Sequence, residues 1–205
     1  MSQPDAFTPM PLFSFPLFST IVGGHQHHKA ALVKEILDLK SKHPGIRRSN
    51  RDGWHSGEEF LESRSEGVAF VLQNVTNYAR RALARYNQDW ATSELKMGSY
   101  WANVLGRGGW NAPHHHHPTH WSGTYYVSVP SIGNGQDDLS GMIEFLNPAP
   151  WNTLGGTAGN FCYGPKDGLM LLFPASLVHF VHPHSTKEPR ISIAFNFSVV
   201  PKRTP

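Results

Sequence analysis

Residues 111–126 read Asn-Ala-Pro-His-His-His-His-Pro-Thr-His-Trp-Ser-Gly-Thr-Tyr-Tyr, and the rest of the chain is organised around them. Five of the 13 histidines fall within this stretch, at His114, His115, His116, His117 and His120. The alternating Val, Tyr and Ser residues that follow are typical of a β-strand, in which side chains at i and i+2 share a face. Histidines at the mouth of a strand predict a metal site, because a His-x-His pair there can place two imidazoles on one ion.

The histidine run offers two such pairs, His114/His116 and His115/His117, which cannot both face the same way in an extended chain. A pair supplies only two ligands, so a third must come from elsewhere. The best distant candidate is His179, which follows a buried strand and a turn. The alternative is a solvated loop that binds metal adventitiously.

A later strand carries an arginine among apolar residues. Arg190, Ser192 and Ala194 alternate there with Ile191, Ile193 and Phe195. Burying an arginine is costly unless a carboxylate meets it, and its planar fork suits a bidentate carboxylate. Ser192, on the same face, can add a hydrogen bond. The pattern predicts a site that holds a metal and a dicarboxylate together, and pairing of Arg190 with a protein carboxylate is the alternative.

The remaining sequence predicts the scaffold. Apolar residues at helical spacing predict helices over 28–42 and 66–86. Strand patterns separated by Gly, Pro, Asn and Asp cover 12–22, 95–103, 121–130, 141–147, 168–173, 178–182 and 189–199. We therefore expect two helices packed on a mainly antiparallel β-barrel or sandwich. The polar segment 45–64 is predicted to be a loop, in which Trp54 packs at the edge of the core, with a substrate contact as the alternative.

Composition excludes several classes of protein. Charged residues make up 16% of the 205, the net charge is +3, and the basic residues are scattered, so no nucleic-acid partner is indicated. The apolar runs are too short for a membrane span. One cysteine, Cys162, excludes an intrachain disulfide, and the N-terminus does not resemble a signal peptide. The expected location is the cytoplasm.

Together these segments resemble the 2-oxoglutarate–Fe(II) oxygenase family. The resemblance spans most of the chain, and its order and spacing are more specific than any one piece. The matching stretches are His-His-His-Pro at 115–118, Ser-Gly-Thr-Tyr-Tyr-Val-Ser-Val-Pro at 122–130, Ser-Gly-Met-Ile-Glu-Phe at 140–145, Phe-Pro-Ala-Ser-Leu-Val-His at 173–179 and Arg-Ile-Ser-Ile-Ala-Phe-Asn at 190–196.

The resemblance implies a double-stranded β-helix, or jelly-roll, core with two N-terminal packing helices. It implies one oxygenase-like domain over 1–205, with a strand and helical support region at 1–92 and the jelly-roll core at 93–200. By the pattern of the wider superfamily, His115, His117 and His179 are the metal-binding and catalytic residues. Arg190 is then the anchor of the co-substrate.

The register 115/117 is favoured because His117-Pro118 matches the motif. His117 then stands where the superfamily has Asp or Glu. Three neutral imidazoles would leave more positive charge on the iron than two imidazoles and a carboxylate. Glu144 or Asp138 is the alternative source of a carboxylate.

The implied function is a hydroxylase that uses Fe(II), 2-oxoglutarate and O2 and releases succinate and CO2. Ser192, Tyr125 and Asn103 join Arg190 as expected cofactor-binding residues. The expected pocket-wall residues are Tyr125, Trp101, Asn103 and Trp121, with core packing as the alternative for each. The expected partner is a small-molecule or peptide substrate, with no membrane, and a homodimer is compatible with the sequence. The segments 45–64, 104–114 and 147–167 are predicted to be loops that shape the entrance.

Three other functions are compatible with the same residues. The first is a cupin-like metal- or ligand-binding jelly-roll protein without oxygenase activity, because one fold hosts many functions. The second is an interaction protein that has kept the fold and lost the metal. A zinc hydrolase ranks last, since no well-placed general base is evident.

Overall fold

The computed structural model describes residues 15–86, 92–131, 139–148 and 159–202. Helix α1 (His25–Lys42) begins directly after Gly24, whose φ of 77° is a left-handed conformation that glycine adopts without strain. It starts three residues earlier than predicted and ends before Pro44. A 3-10 helix (Glu58–Glu62) precedes helix α2 (Glu66–Tyr86), which has the predicted bounds. No helix in the described part of the chain is long and apolar enough to cross a membrane.

Nine strands form one curled antiparallel sheet in the described residues. Their sequence order is β1 (Phe18–Ile21), β2 (Asn50–His55), β3 (Ser93–His114), β4 (Trp121–Ser128), β5 (Ile143–Phe145), β6 (Phe161–Tyr163), β7 (Leu169–Pro174), β8 (His179–Val181) and β9 (Arg190–Pro201). Their spatial order is β1-β7-β4-β9-β3-β8-β5-β6, and β2 pairs with β3. This is the predicted jelly-roll core with its two packing helices.

Strand β3 joins the two halves of the sheet. Its first part pairs with β9, its middle with β2 and its last residues with β8. The segment 104–114, predicted to be a loop, is therefore a strand. This extended pairing places the histidine run at the end of a long strand, after a register shift between Asn111 and His114.

The two faces of the central strands contact different parts of the molecule. One face packs against the helices, in a core that includes Leu32 and Ile36 of α1 and Val71 and Val75 of α2. The strand residues in the same core include Ala102, Val104, Tyr125, Val127, Ile191, Ile193, Phe195 and Phe197. Burying one large apolar side chain stabilises a fold by about 1.5–3 kcal/mol. The other face, with Leu105, Tyr126 and Phe173, looks into the curl of the sheet.

Two short strands were not predicted. Strand β2 lies in the polar segment 45–64, and its Asn-Arg-Asp-Gly sequence is typical of a turn. Pairing with β3 overrides this local preference, with a register shift between Arg51 and Gly53. Strand β6 lies in the segment 147–167, of which 149–158 are outside the described residues. Trp54 is 6% exposed and donates to the His43 carbonyl at 2.9 Å, which confirms its predicted place at the core edge.

Candidate metal and anion site

Three histidines converge where β3 and β8 meet. His114 is paired with His179 across the two strands, and His116 lies two residues beyond His114. The ring centroids are 4.5 Å apart for His114 and His179, 5.2 Å for His116 and His179, and 5.0 Å for His114 and His116. One nitrogen of each ring lies within 4.8 Å of one nitrogen of the others, so the three can hold one metal ion.

Hydrogen bonds to backbone carbonyls two residues earlier in the chain orient two of these rings. The Nδ1–H of His114 donates to the Ala112 carbonyl at 2.7 Å, and that of His179 donates to the Leu177 carbonyl at 2.9 Å. Metal-binding histidines usually use one nitrogen for such a bond and the other for the metal. Both Nε2 atoms are therefore left to coordinate a metal. The Ser49 hydroxyl oxygen lies 3.4 Å from the Nε2 atom of His114.

The electrostatics keep the three rings neutral. Burial, and secondly the nearby His114, lower the pKa of His179 to about 3. Burial, and secondly His114, lower the pKa of His116 to about 4. Burial also lowers the pKa of His114. At neutral pH the lone pairs of all three rings are free for a metal.

The other histidines of the run lie outside this cluster, although His115 lines the same cavity. His115 and His117 are exposed, and the Nδ1 of His115 accepts a bond from the backbone amide of His117 at 3.2 Å. The pair that faces His179 is thus His114/His116, the alternative register, and not the favoured 115/117. The reason is that pairing of β3 with β8 fixes which face His114 shows, whereas the motif match gave only an approximate alignment.

No carboxylate joins the three histidines in the described residues. Glu144 lies on β5 between Ile143 and Phe145, which point inward: Ile143 lines the cavity, and the Phe145 ring is 5.9 Å from that of His179. Glu144 therefore points outward, where its Oε2 is 2.6 Å from His182 Nε2. Asp138 lies outside the described residues. In the 114/116 register, the position expected to hold Asp or Glu moves from His117 to His116.

Arg190 is buried on the same inner surface. It is 3% exposed, its guanidinium carbon lies 4.7 Å from the centre of the Tyr126 ring, and its Nη1 donates to Ser192 Oγ at 3.4 Å. Its Nε has no hydrogen-bond partner, and no ion pair of the described residues includes it. Burial lowers the pKa of Arg190, but a guanidinium stays protonated in proteins. The alternative of a protein carboxylate partner is therefore not observed in these residues.

A row of polar side chains crosses four strands beside Arg190. His55, Asn103, Ser192 and Tyr126 are successive cross-strand partners on β2, β3, β9 and β4, so they share one face. The Asn103 Oδ1 and Tyr126 Oη atoms are buried without partners. Burial raises the pKa of Tyr126, so its hydroxyl is a donor at neutral pH. Buried unpaired polar atoms are rare, and the Tyr126 ring lies against the Arg190 guanidinium, so its hydroxyl can donate to an anion bound beside Arg190.

The structure separates Tyr125 from this row. Tyr125, an expected cofactor-binding residue, is 1% exposed and lies in the core against the helices. Its neighbour Tyr126 takes the inward position, which sequence reasoning missed. Alternation with Ser122 and Thr124, which also line the cavity, was the signal that could have found it.

One cavity of about 760 Å³ contains both groups of residues. Trp101 lines it, stacked on His55 with 5.3 Å between ring centroids and 5.5 Å from the His116 ring. Trp121, the other expected pocket wall, instead packs against Phe18 and Tyr86. The site residues that line the cavity are Asn103, His114, His115, His116, Tyr126, His179, Arg190 and Ser192.

The part of the chain that contains this site matches the model of a known protein family. Residues 99–196 match the model of the family described as "Putative 2OG-Fe(II) oxygenase". This segment of the chain is similar to that family. The match runs from Ser99 in β3 to Asn196 in β9, and so includes all three converging histidines and Arg190. The predicted resemblance, oxygenase class and cofactors Fe(II) and 2-oxoglutarate are confirmed at the level of the family.

Solved structures support the fold of a 2-oxoglutarate oxygenase. A Pseudomonas putida prolyl-4-hydroxylase superposes with a TM-score of 0.62 at 12% identity, covering 93% of this chain and 95% of that one. A Trichoplax adhaerens prolyl hydroxylase, in complex with a hypoxia inducible factor peptide fragment, gives 0.61 at 14% identity, covering 90% and 83%. The carbocyclase SnoK from nogalamycin biosynthesis gives 0.64 at 9% identity, covering 88% and 78%. No curated protein matches the chain in sequence.

Proposed function

We propose that the protein hydroxylates a small molecule or peptide, with Fe(II) held by His114, His116 and His179 and the distal carboxylate of 2-oxoglutarate held by Arg190. One observation carries this assignment. A buried arginine without a protein carboxylate among the described residues shares a cavity with three converging, neutral histidines. Leaving such a cation unpaired is costly, so the cavity is built for an anionic ligand.

The residues present fit both cofactors. Imidazole nitrogens bind Fe(II), although three of them depart from the usual two histidines and one carboxylate. When bound, the metal and 2-oxoglutarate supply the oxidative chemistry, in which O2 is consumed and succinate, CO2 and hydroxylated substrate are produced. The chain itself supplies positions, charges and exclusion of water.

Arg190 and its neighbours orient the co-substrate. The guanidinium offers donors to a carboxylate, the Ser192 hydroxyl lies beside it, and the Tyr126 hydroxyl is an unused donor on the same wall. A charge-assisted, bidentate contact fixes direction as well as affinity. With one end of a dicarboxylate held here, its other end is directed toward the histidines in the same cavity.

Apolar residues surround the histidine end of the cavity. Phe173 contacts the His179 ring edge-on at 4.8 Å between centroids, and Ile143 and Val181 line the same space. Such a wall excludes water and strengthens electrostatic contacts within it. We assign to this wall the role of protecting the metal end of the site.

The substrate class rests on the cavity and on the similar folds. The Trichoplax relative in fold is described with a peptide fragment, and SnoK belongs to nogalamycin biosynthesis. The stacked His55 and Trp101 give this cavity a flat aromatic wall, which suits a ring-bearing or peptide substrate. A cytoplasmic location and a homodimer stay predictions, the second tested by sedimentation.

Anaerobic titration with Fe(II) and 2-oxoglutarate tests the proposal. The expected result is the weak visible charge-transfer band of the chelate, followed in air by succinate formation. Stoichiometric Fe(II) binding without the band and without succinate would instead support the cupin-like, non-oxygenase alternative. Arg190→Met should weaken the band at limiting 2-oxoglutarate without changing Fe(II) stoichiometry.

A further inference from the structure

A second cluster of metal-ligand side chains lies on the outer face of the smaller half of the sheet. Glu144 lies on β5, Cys162 on β6, and His182 directly after β8. Their neighbours Ile143 and Val181 line the cavity, so the cluster points away from it. None of its three members belongs to the oxygenase site described above.

Strand pairing brings the three side chains together. Glu144 is the cross-strand partner of Cys162 in the β5–β6 ladder and of Phe180 in the β5–β8 ladder. His182 lies two residues beyond Phe180 and therefore shares its face. The cluster thus connects three neighbouring strands, and its geometry is set by the ladders, not by a flexible loop.

The ligand atoms already lie at near-coordinating separations. Glu144 Oε2 is 2.6 Å from His182 Nε2 and 3.4 Å from Cys162 Sγ, and all three ligand atoms lie within 4.8 Å of one another. In a tetrahedral zinc site, bonds of 2.0–2.3 Å place ligand atoms about 3.3–3.8 Å apart. Shifts of about an ångström or less would bring the set to that geometry.

We propose that Glu144, Cys162 and His182 form a second metal site, which binds Zn²⁺ or a cation of similar character. A thiolate, an imidazole and a carboxylate are the three donor types that proteins use for zinc. Two anionic donors would also balance the charge of a divalent ion. Calcium and magnesium are disfavoured, because they require oxygen ligands.

The surroundings support coordination. The side chains of His182 and Glu144 are 17% and 12% exposed, so an ion there would be largely shielded from water. Asn160 Nδ2 donates to Glu144 Oε1 at 2.7 Å, an outer-shell contact of the kind that orients a ligating carboxylate. Without a metal, burial and secondly Glu144 raise the pKa of the Cys162 thiol, so loading must release its proton.

Cobalt binding distinguishes this site from the three histidines. Cys162 is the only cysteine of the chain, so a near-ultraviolet sulfur-to-cobalt charge-transfer band can arise only here. In metal-stripped protein we expect two equivalents of Co²⁺ to bind, with that band. His179→Ala should keep the band and lose one equivalent, and Cys162→Ser should lose the band and the other equivalent.

A stability measurement provides the second readout. In the His179→Ala background, Zn²⁺ should raise the melting temperature, and the further change Cys162→Ser should abolish the rise while leaving the metal-free melting temperature nearly unchanged. The proposal is overturned if His179→Ala shows no sulfur-to-cobalt band, or shows it only at large excess of Co²⁺. Equal metal stoichiometry in wild type and Cys162→Ser would also overturn it, and would leave a hydrogen-bonded cluster.

Because Cys162 lies outside the oxygenase cavity, the two proposals fail separately. Cys162→Ser should form succinate from 2-oxoglutarate at the wild-type rate if Fe(II) is supplied. Loss of the cobalt band with retained succinate formation identifies the second site alone. Failure of succinate formation in the wild type concerns the three histidines and Arg190 and leaves the band unaffected.

Discussion

The two faces of strand β9 differ in what they contact, although their residues alternate along one chain. Arg190 and Ser192 face the cavity, and Ile191 and Ile193 face the helices. The inner face carries buried polar atoms without partners, and the outer face is an apolar core. Binding and stability are therefore assigned to alternate positions, and substitutions one residue apart should have different kinds of effect.

The largest expected effect tests which histidines belong to the inner face. Replacing His114, His116 or His179 by Ala should lower Fe(II) affinity at least about 100-fold, beyond the usual cost of losing an outer-shell partner. His115→Ala and His117→Ala are the matched controls, because both side chains are exposed. Calorimetry with Fe(II) under anaerobic conditions measures this. Loss of binding in the His115 and His117 variants, with retention in the His114 and His116 variants, would restore the register first favoured from sequence.

The next effect concerns Arg190. Arg190→Met should weaken 2-oxoglutarate binding about 100-fold, since truncating one partner of a buried charge pair costs several kcal/mol. Ile191→Val, one residue away on the outer face, should leave that affinity unchanged. Competition binding of 2-oxoglutarate to the metal-loaded protein provides the comparison. An unchanged affinity in Arg190→Met would remove the anchor assignment and leave the metal site intact.

Much of this comparison could be predicted from the sequence, and its exact register could not. Alternation identified Arg190 and Ser192 as one face and predicted most strands, and helical spacing of apolar residues predicted the two helices. Nothing within the histidine run determines which of its side chains point inward. That direction is determined by His179, more than 60 residues away, because His179 pairs with His114.

Two other features were not predicted from the sequence for the same reason, which is that pairing with a distant strand determines them. Tyr125 and Tyr126 are chemically identical. Alternation groups Tyr126 with Ser122 and Thr124, and the pairing of Tyr126 with Ser192 assigns that group to the inner face. Strand β2 is built from residues typical of turns, and pairing with β3 makes it a strand. Local preference predicts elements well when a long periodic segment carries it, and fails where a distant strand decides.

Acidification should reveal the buried histidines of the metal-free protein. Burial holds the pKa of His179 at about 3, against 6.5 when unfolded, so between these values the unfolded chain binds the extra proton. Stability is then fully present above pH 6.5 and decreases as the pH falls below it. From pH 7 to pH 5 we expect a loss of about 2 kcal/mol from this residue.

Urea unfolding of the metal-free protein at the two pH values measures that loss. His179→Asn should reduce the loss by about the same 2 kcal/mol. His117→Asn, an exposed control, should leave the pH dependence as in the wild type. Equal pH dependence for all three proteins would mean that His179 is accessible to protons in the folded state.

The smallest expected effects compare the inner and outer faces of β9 at two neighbouring residues, Ser192 and Ile193. Ser192→Ala should weaken 2-oxoglutarate binding by about 1 kcal/mol, roughly fivefold, with little change in stability. Ile193→Val should lower stability by about 1 kcal/mol and leave binding unchanged. Urea unfolding and ligand titration on both variants give the two values. If both variants changed both quantities equally, the two faces would not be energetically separate.

The hydrogen bonds of His114 and His179 to peptide carbonyls have a further consequence. Neither the three rings nor these carbonyls bring a negative charge to the metal, so on the proposed assignment an anion must come from the co-substrate. Fe(II) and 2-oxoglutarate should then load cooperatively, and each should raise the affinity for the other by the same factor. Small anions in the buffer would compete for the same role, so chloride and phosphate should act as inhibitors.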